Sequence, residues 1–149
     1  MKLAIASDHG AFELKQEIIG LLKKRGIEVQ DLGTTSGDSV DYPDYAARVA
    51  GLVSEGKVEG GILACGTWIG MSIVANKFKN VRAAVVTDEY TARMSREHNN
   101  ANILCLGGRV RKPAEALKLL QIWLDTQYEG GRHDRRLAKI AEIEKKNLR

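Results

Sequence analysis

The sequence predicts an α/β protein: a three-layer α/β/α sandwich around a five-stranded parallel sheet. Short apolar runs of strand length alternate with segments whose apolar residues recur at helical spacing. Strands separated by helices pair in parallel, and right-handed crossovers place those helices over both faces of the sheet. The chain has 149 residues, 44% of them apolar, which is enough for one domain (1–149) with its own core.

The elements follow in order. Leu3-Ala4-Ile5-Ala6 is the first strand and stops at Ser7-Asp8-His9-Gly10. Leu14, Ile18, Leu21 and Leu22 then share one helix face, and Gly26 ends that helix behind Lys23-Lys24-Arg25, cations suited to the negative end of the dipole. Ile27 to Leu32 is the second strand. Pro43 opens a helix that runs to about Ser54. Gly61 to Cys65 reads as a buried third strand, with a helix beginning near Ile69. Val81 to Val86 is the fourth strand, followed by a helix through Glu97; Asn102 to Leu106 is the fifth. Pro113 opens a helix ending near Asp125. A last amphipathic helix, about 134–146, carries Leu137, Ile140, Ala141 and Ile143 on or near one face. The sheet is complete without it, so it is expected to pack on a neighbouring subunit.

Charge and motif content exclude several functions. The net charge is +4, from 23 basic and 19 acidic residues. From Arg132 to Arg149 stand seven Lys/Arg and three Asp/Glu, so the tail holds the whole excess and no uniformly basic nucleic-acid surface exists. No apolar run approaches the ~20 residues of a bilayer span. Asp8 comes too early for a secretory signal, and a cytoplasmic protein is expected. Cys65 and Cys105 lack the spacing of a disulfide framework or a zinc site, and His9, His98 and His133 lack short ligand spacing. Asp8-His9-Gly10-Ala11 stands where a dinucleotide-binding glycine motif would be, and the P-loop pattern is absent.

Ligands of parallel α/β sheets bind outside the carboxyl ends of the strands. That rule selects Ser7–Gly10, Cys65–Gly70, Thr87-Asp88 and Gly107-Gly108. In the segment from Cys65 to Ser72, glycines let the backbone approach a ligand, and the N–H groups of the following helix start favour an oxyanion. A thiol at such an electropositive end can act as base or nucleophile; a small buried strand residue is the alternative. Cys105, inside an apolar run, is structural. Asp8-His9 can open a sugar ring, hold a hydroxyl or touch a phosphate, or Asp8 can simply cap a helix. His98-Asn99-Asn100, taken alone, is a helix C-terminus. Arg132 and Arg136, four apart at a helix start, share one face and oppose the dipole, a conflict that a bound phosphate would relieve. Lys145, Lys146 and Arg149 read as a solvated basic end.

Taken together, these segments closely resemble the ribose-5-phosphate isomerase B family, within a group that includes galactose-6-phosphate and allose-6-phosphate isomerases. The resemblance rests on Ser7-Asp8-His9-Gly10, Asp41-Tyr42-Pro43, Cys65-Gly66-Thr67, Ile69-Gly70-Met71-Ser72, Ala75-Asn76-Lys77, Ser95-Arg96-Glu97-His98-Asn99 and Gly130-Gly131-Arg132-His133 with Arg136. These segments span the chain, in order. The resemblance implies a Rossmann-like fold and a homodimer with shared active sites, able to pair into tetramers. It further implies an aldose–ketose isomerase, without metal or cofactor, that interconverts ribose 5-phosphate and ribulose 5-phosphate through an enediolate.

Carried over by position, Cys65 is the base, and Thr67 with the amides from Gly66 to Gly70 forms the anion hole, with Ser72 also binding substrate. Asp8 and His98 open the furanose, His9, Arg132 and Arg136 hold the phosphate, and Asn99 and Tyr42 order hydroxyls. His98, Asn99, Arg132 and Arg136 come from the partner subunit. The alternatives are a six-carbon sugar phosphate as substrate, or a phosphosugar-binding protein without turnover. One residue departs from the pattern: Trp68 stands where the family usually has glycine. A positive φ there would strain an indole-bearing residue by roughly 1–3 kcal/mol; otherwise the ring walls the pocket. The loop is expected to keep its path, with Trp68 at the pocket rim.

Overall fold

The computed structural model describes residues 1–148; Arg149, read above as part of the basic end, lies outside them. The strands are β1 (Lys2–Ser7), β2 (Glu28–Asp31), β3 (Gly60–Cys65), β4 (Ala83–Val85) and β5 (Ile103–Gly107), and the helices are α1 (Phe12–Lys24), α2 (Tyr42–Ser54), α3 (Ile69–Ala75), α4 (Glu89–Glu97), α5 (Pro113–Asp125) and α6 (Arg132–Asn147). All four strand pairings are parallel and the order is β2-β1-β3-β5-β4.

Side-chain alternation along the strands builds two cores. Leu3, Ile5, Ile62, Ala64, Leu104 and Leu106 face Leu14 and Ile18 of α1, Ala92 of α4, and Leu119, Leu120 and Trp123 of α5. Ala4, Ala6, Leu63, Cys65, Ile103 and Cys105 face Ala46, Val49, Ala50 and Val53 of α2, with Met71 and Ala75 of α3. Helices on both faces give the expected three layers. Burying each Leu or Ile here contributes about 1.5–3 kcal/mol.

Local chemistry ends the elements where the residues change. Gly26 takes φ +70°, while the Ile27 N–H donates to the Leu22 carbonyl (3.0 Å) and closes α1. The fourth strand is shorter than Val81–Val86. Asn102 Oδ1 accepts the Arg82 N–H (2.7 Å) and Asn76 Oδ1 the Ala83 N–H (2.9 Å), so side-chain amides hold the start of the segment.

α6 belongs to neither core. Among its described residues only His133 is buried, while Ile140 and Ile143 stay 45% and 61% exposed. These two isoleucines, with Val81, Ala84 and Asn99, line an open groove of about 540 Å³ beside β4. Among the described residues no helix is long and apolar enough to cross a membrane.

Candidate active site

From β1 the chain steps to β2, then jumps back across β1 to β3. The crossovers diverge at that point, and the carboxyl ends of β1 and β3 open a crevice between them. Ser7 pairs with Ala64, and the Asp8 N–H continues the ladder to the Ala64 carbonyl (3.2 Å), which sets Asp8 beside Cys65.

Each group at this end has a distinct environment. Asp8 is buried; its Oδ1 accepts the Gly10 N–H (2.9 Å) as the cap of a 3-10 turn, His9–Ala11. The capping and site readings of Asp8 are compatible, because the carboxylate has a second oxygen. His9 Nδ1 accepts the Val40 N–H (3.2 Å), leaving Nε2–H as the donor for a ligand. The ring lines a cleft of about 260 Å³ with Gly10, Gly108 and Arg109. Cys65 ends β3 and is buried, so it is reachable only from the loop above it. Cys105 is fully buried, and burial pushes its thiol pKa far up, so it stays a thiol.

Above Cys65 the chain turns through Gly66 and exposed Thr67 into α3. The Ser72 N–H donates to the Trp68 carbonyl (3.2 Å), so the N–H groups of the turn before it have no helical acceptor. The Ser72 hydroxyl donates to the Ile69 carbonyl (2.8 Å), which leaves a ligand only its lone pairs. Tyr42, at the start of α2, lays its ring on Gly70, where a Cβ would come within 2.6 Å of it.

Trp68 takes φ +64°, so the strained alternative is the one realised. The left-handed backbone costs about 1–2 kcal/mol. Packing offsets it: the half-buried indole occupies the space a side chain on Gly107 would fill, against the second core. Gly107 is the register partner of Cys65, so the ring flanks the strand end that carries the thiol.

The remaining candidates gather elsewhere. Helix α4 leaves the carboxyl edge of β4 and returns to the amino edge of β5, carrying His98 and Asn99 with it. Arg82, just before β4, donates to the Asn99 carbonyl from Nε (3.0 Å), which fixes Asn99 at the amino edge. The His98 ring stacks on His133 with centroids 4.2 Å apart, which brings the start of α6, with exposed Arg132 and Arg136, to the same place. Gly61 bonds to Asn102 at that edge, and Cys65 lies four residues further along β3, about 13 Å at ~3.3 Å per residue. Within one chain, Cys65, Asp8, His9, Thr67 and Tyr42 gather at the carboxyl end of the sheet, and His98, Asn99, Arg132 and Arg136 at the amino end.

His98, Glu129 and His133 bring potential ligand atoms within 4.8 Å of one another. An ion met by both in-plane lone pairs must lie in both ring planes, however, and planes only 21° from parallel on rings stacked 4.2 Å apart do not meet close to the two nitrogens. Thr87-Asp88 is a capping box instead: Asp88 Oδ1 accepts the Thr91 N–H (2.7 Å), and Thr91 Oγ1 accepts the Asp88 N–H (3.1 Å). Sequence reading missed Arg109. Its N–H donates to the Gly66 carbonyl (3.1 Å), and its guanidinium carbon lies 3.3 Å from where a Gly10 Cβ would stand, over the Asp8–Cys65 crevice. The carboxyl-end rule that selected Gly107-Gly108 would have found it one residue on.

A doubly wound α/β protein with a thiol, an acid–imidazole pair and an N–H turn at its switch point belongs to the class that binds small polar ligands there. Comparison with known proteins makes the class specific. Residues 3–140 match the ribose/galactose isomerase family, and the chain belongs to that family. It is 51% identical to a putative sugar phosphate isomerase of Bacillus subtilis over 99% of this chain and 100% of that one. It is 48% identical to ribose-5-phosphate isomerase B of Escherichia coli, over 97% of each. The structure of ribose-5-phosphate isomerase B from Clostridium thermocellum superposes with a TM-score of 0.96 at 55% identity, covering 98% of this chain and 99% of that one. The Mycoplasma genitalium enzyme with bound ribulose-5-phosphate gives 0.95 at 43% identity, over 98% and 97%.

Proposed function

We propose that this protein is an aldose–ketose isomerase that interconverts ribose 5-phosphate and ribulose 5-phosphate through an enediolate. The observation that supports it most is Cys65 at the closed end of the crevice, under unpaired N–H groups and beside Asp8 and His9, in a chain of this family. The names of the relatives favour the five-carbon substrate over the six-carbon and non-catalytic alternatives.

The reaction then divides among the groups. Asp8 and His98 move protons at O1 and O4 as the ring opens. Cys65 carries the proton between C2 and C1, while Thr67 and the amides from Gly66 to Gly70 hold the developing oxyanion. Ser72 stands by this turn, and Trp68 walls its flank. His9 and Arg109 meet the phosphate from one side, Arg132 and Arg136 from the other; fixing it positions the reacting carbons. Tyr42 and Asn99 order hydroxyls. No step needs a metal or cofactor.

The same proposal includes a homodimer with shared sites. An extended five-carbon phosphate spans about 7 Å from C1 to phosphorus, at roughly 1.25 Å per bond. It does not bridge two half-sites set at opposite sheet ends. A second copy completes each site, and the groove between α6 and β4, with Ile140, Ile143 and Asn99 on its wall, is where that copy docks. The chain reads as one domain whose last helix serves this contact, in a cytoplasmic enzyme.

The test is the Cys65→Ala protein. It should bind ribose 5-phosphate yet fail to exchange the C2 proton with solvent; exchange at the unsubstituted rate overturns the assignment.

A further inference from the structure

His133 is the single buried residue of α6, and the reaction above gives it no task. Its surroundings point to one. The ring lies face to face with His98, centroids 4.2 Å apart and planes 21° from parallel. Its Nε2 is 3.3 Å from Glu129 Oε2. Glu129 is in turn tied to the helix that carries His98, since its N–H donates to the Glu97 carbonyl (3.1 Å). Tyr128 Oη donates to Asp134 Oδ1 (2.7 Å) and the His133 N–H to the Gly130 carbonyl (3.2 Å), so the loop between α5 and α6 closes on itself.

His98 needs such support. It is the half-buried residue that ends α4, with non-ideal helical dihedrals of −96° and −39°, and it has no side-chain hydrogen bond among the described residues. An imidazole with no hydrogen-bond partner of its own samples several rotamers, and a group that must meet O1 or O4 of a furanose works from one of them. A flat ring clamped against its face removes the others. His133 itself is turned away from ligands: it is 1% exposed and its Nε2 faces a carboxylate.

We propose that His133, held by Glu129, is a positioning residue that sets the His98 ring for opening the sugar. This rests on the isomerase reading, and the experiment separates the two. Ribulose 5-phosphate has no free O5 and stays acyclic, so exchange of its C1 proton through the enediolate needs no ring opening. His133→Ala is expected to lower kcat on ribose 5-phosphate about 10- to 100-fold, with KM nearly unchanged. Solvent exchange of the C1 proton of ribulose 5-phosphate should stay near the unsubstituted rate. The kinetic isotope effect of C2-deuterated ribose 5-phosphate should fall towards one, as ring opening becomes the slow step. His133→Phe keeps a stacking ring and should restore most of kcat; it also serves if the alanine variant does not fold.

Unchanged kcat in a folded His133→Ala protein overturns the positioning role and leaves the isomerase intact. So does a folded phenylalanine variant as poor as the alanine one, or an equal loss in both assays with the isotope effect preserved. Loss of C1 exchange in Cys65→Ala supports the isomerase reading whatever His133 does.

Discussion

If each site is built from two copies, two dead proteins should make a live one. One carries Cys65→Ala, removing the base from the half-site at the carboxyl ends of the strands. The other carries Arg132→Ala with Arg136→Ala, exposed positions whose truncation leaves both cores untouched. Each homodimer has two damaged sites. Dissociated in mild denaturant, mixed in equal amounts and reassociated, the chains distribute roughly 1:2:1. Every mixed dimer pairs one doubly damaged site with one intact site, so about a quarter of all sites work. The assay is conversion of ribose 5-phosphate, with mixed dimers counted by native mass spectrometry. Recovery near a quarter of unsubstituted activity is expected. Neither parent contains an intact site, since every copy in it carries the same lesion. Mixed dimers present in full with no recovered activity would refute the shared site.

Other outcomes follow from single contacts. A Cβ added in Gly107→Ala would meet the Trp68 indole and, at 2.5 Å, Val110 Cγ2; thermal melts should show a loss of about 1–3 kcal/mol, and a Tm equal to that of the unsubstituted protein would contradict the packing. Trp68→Gly relieves the positive φ but empties the slot over Gly107, so KM or the preference between ribose 5-phosphate and allose 6-phosphate should shift; identical kinetics on both would remove Trp68 from the pocket wall. The Thr91 N–H, with the Thr91 hydroxyl, holds Asp88 below the usual carboxylate range. Its stabilisation is therefore complete above the unfolded carboxylate value near ~3.9 and lost as pH falls through the lower folded one. Asp88→Asn should melt lower than the unsubstituted protein at neutral pH, with the two curves converging in acid; a constant gap across pH would show that the charge adds nothing.

Much of this was legible in the residues because the cause was local. Apolar runs placed five strands, Pro43 and Pro113 marked two helix starts, and Gly26 marked a stop. The carboxyl-end rule found Asp8 and Cys65 because adjacency follows from topology alone. Other features depended on groups distant in sequence. Val81 and Val86 are buried, as their apolar character implies, yet neither lies in β4; at the Val81 end the amides of Asn76 and Asn102 take up the backbone of Asn80, Arg82 and Ala83. Arg109 looks like any solvated loop arginine until β5 is known to lie beside β3. The His98–His133 stack joins the ends of two helices that periodicity treats separately, and only the path of the loop after α5 brings them together. For Trp68 the positive φ is the half of the expectation that is realised, and the packing that offsets it comes from Gly107, a residue 39 positions away that no local pattern links to it.

Asn76 does more than trim a strand. Its amide takes the Ala83 N–H through Oδ1 (2.9 Å) and gives Nδ2–H to the Ala83 carbonyl (3.0 Å), the same two-point pairing another strand would offer. One side chain thus plugs the open margin of the sheet, where unpaired backbone invites intermolecular zippering. Ala83 is thereby closed to ribbon-like fusion with another sheet; the dimer proposed above meets along β4 through helices, whose faces can set a fixed stoichiometry where an endless ladder could not.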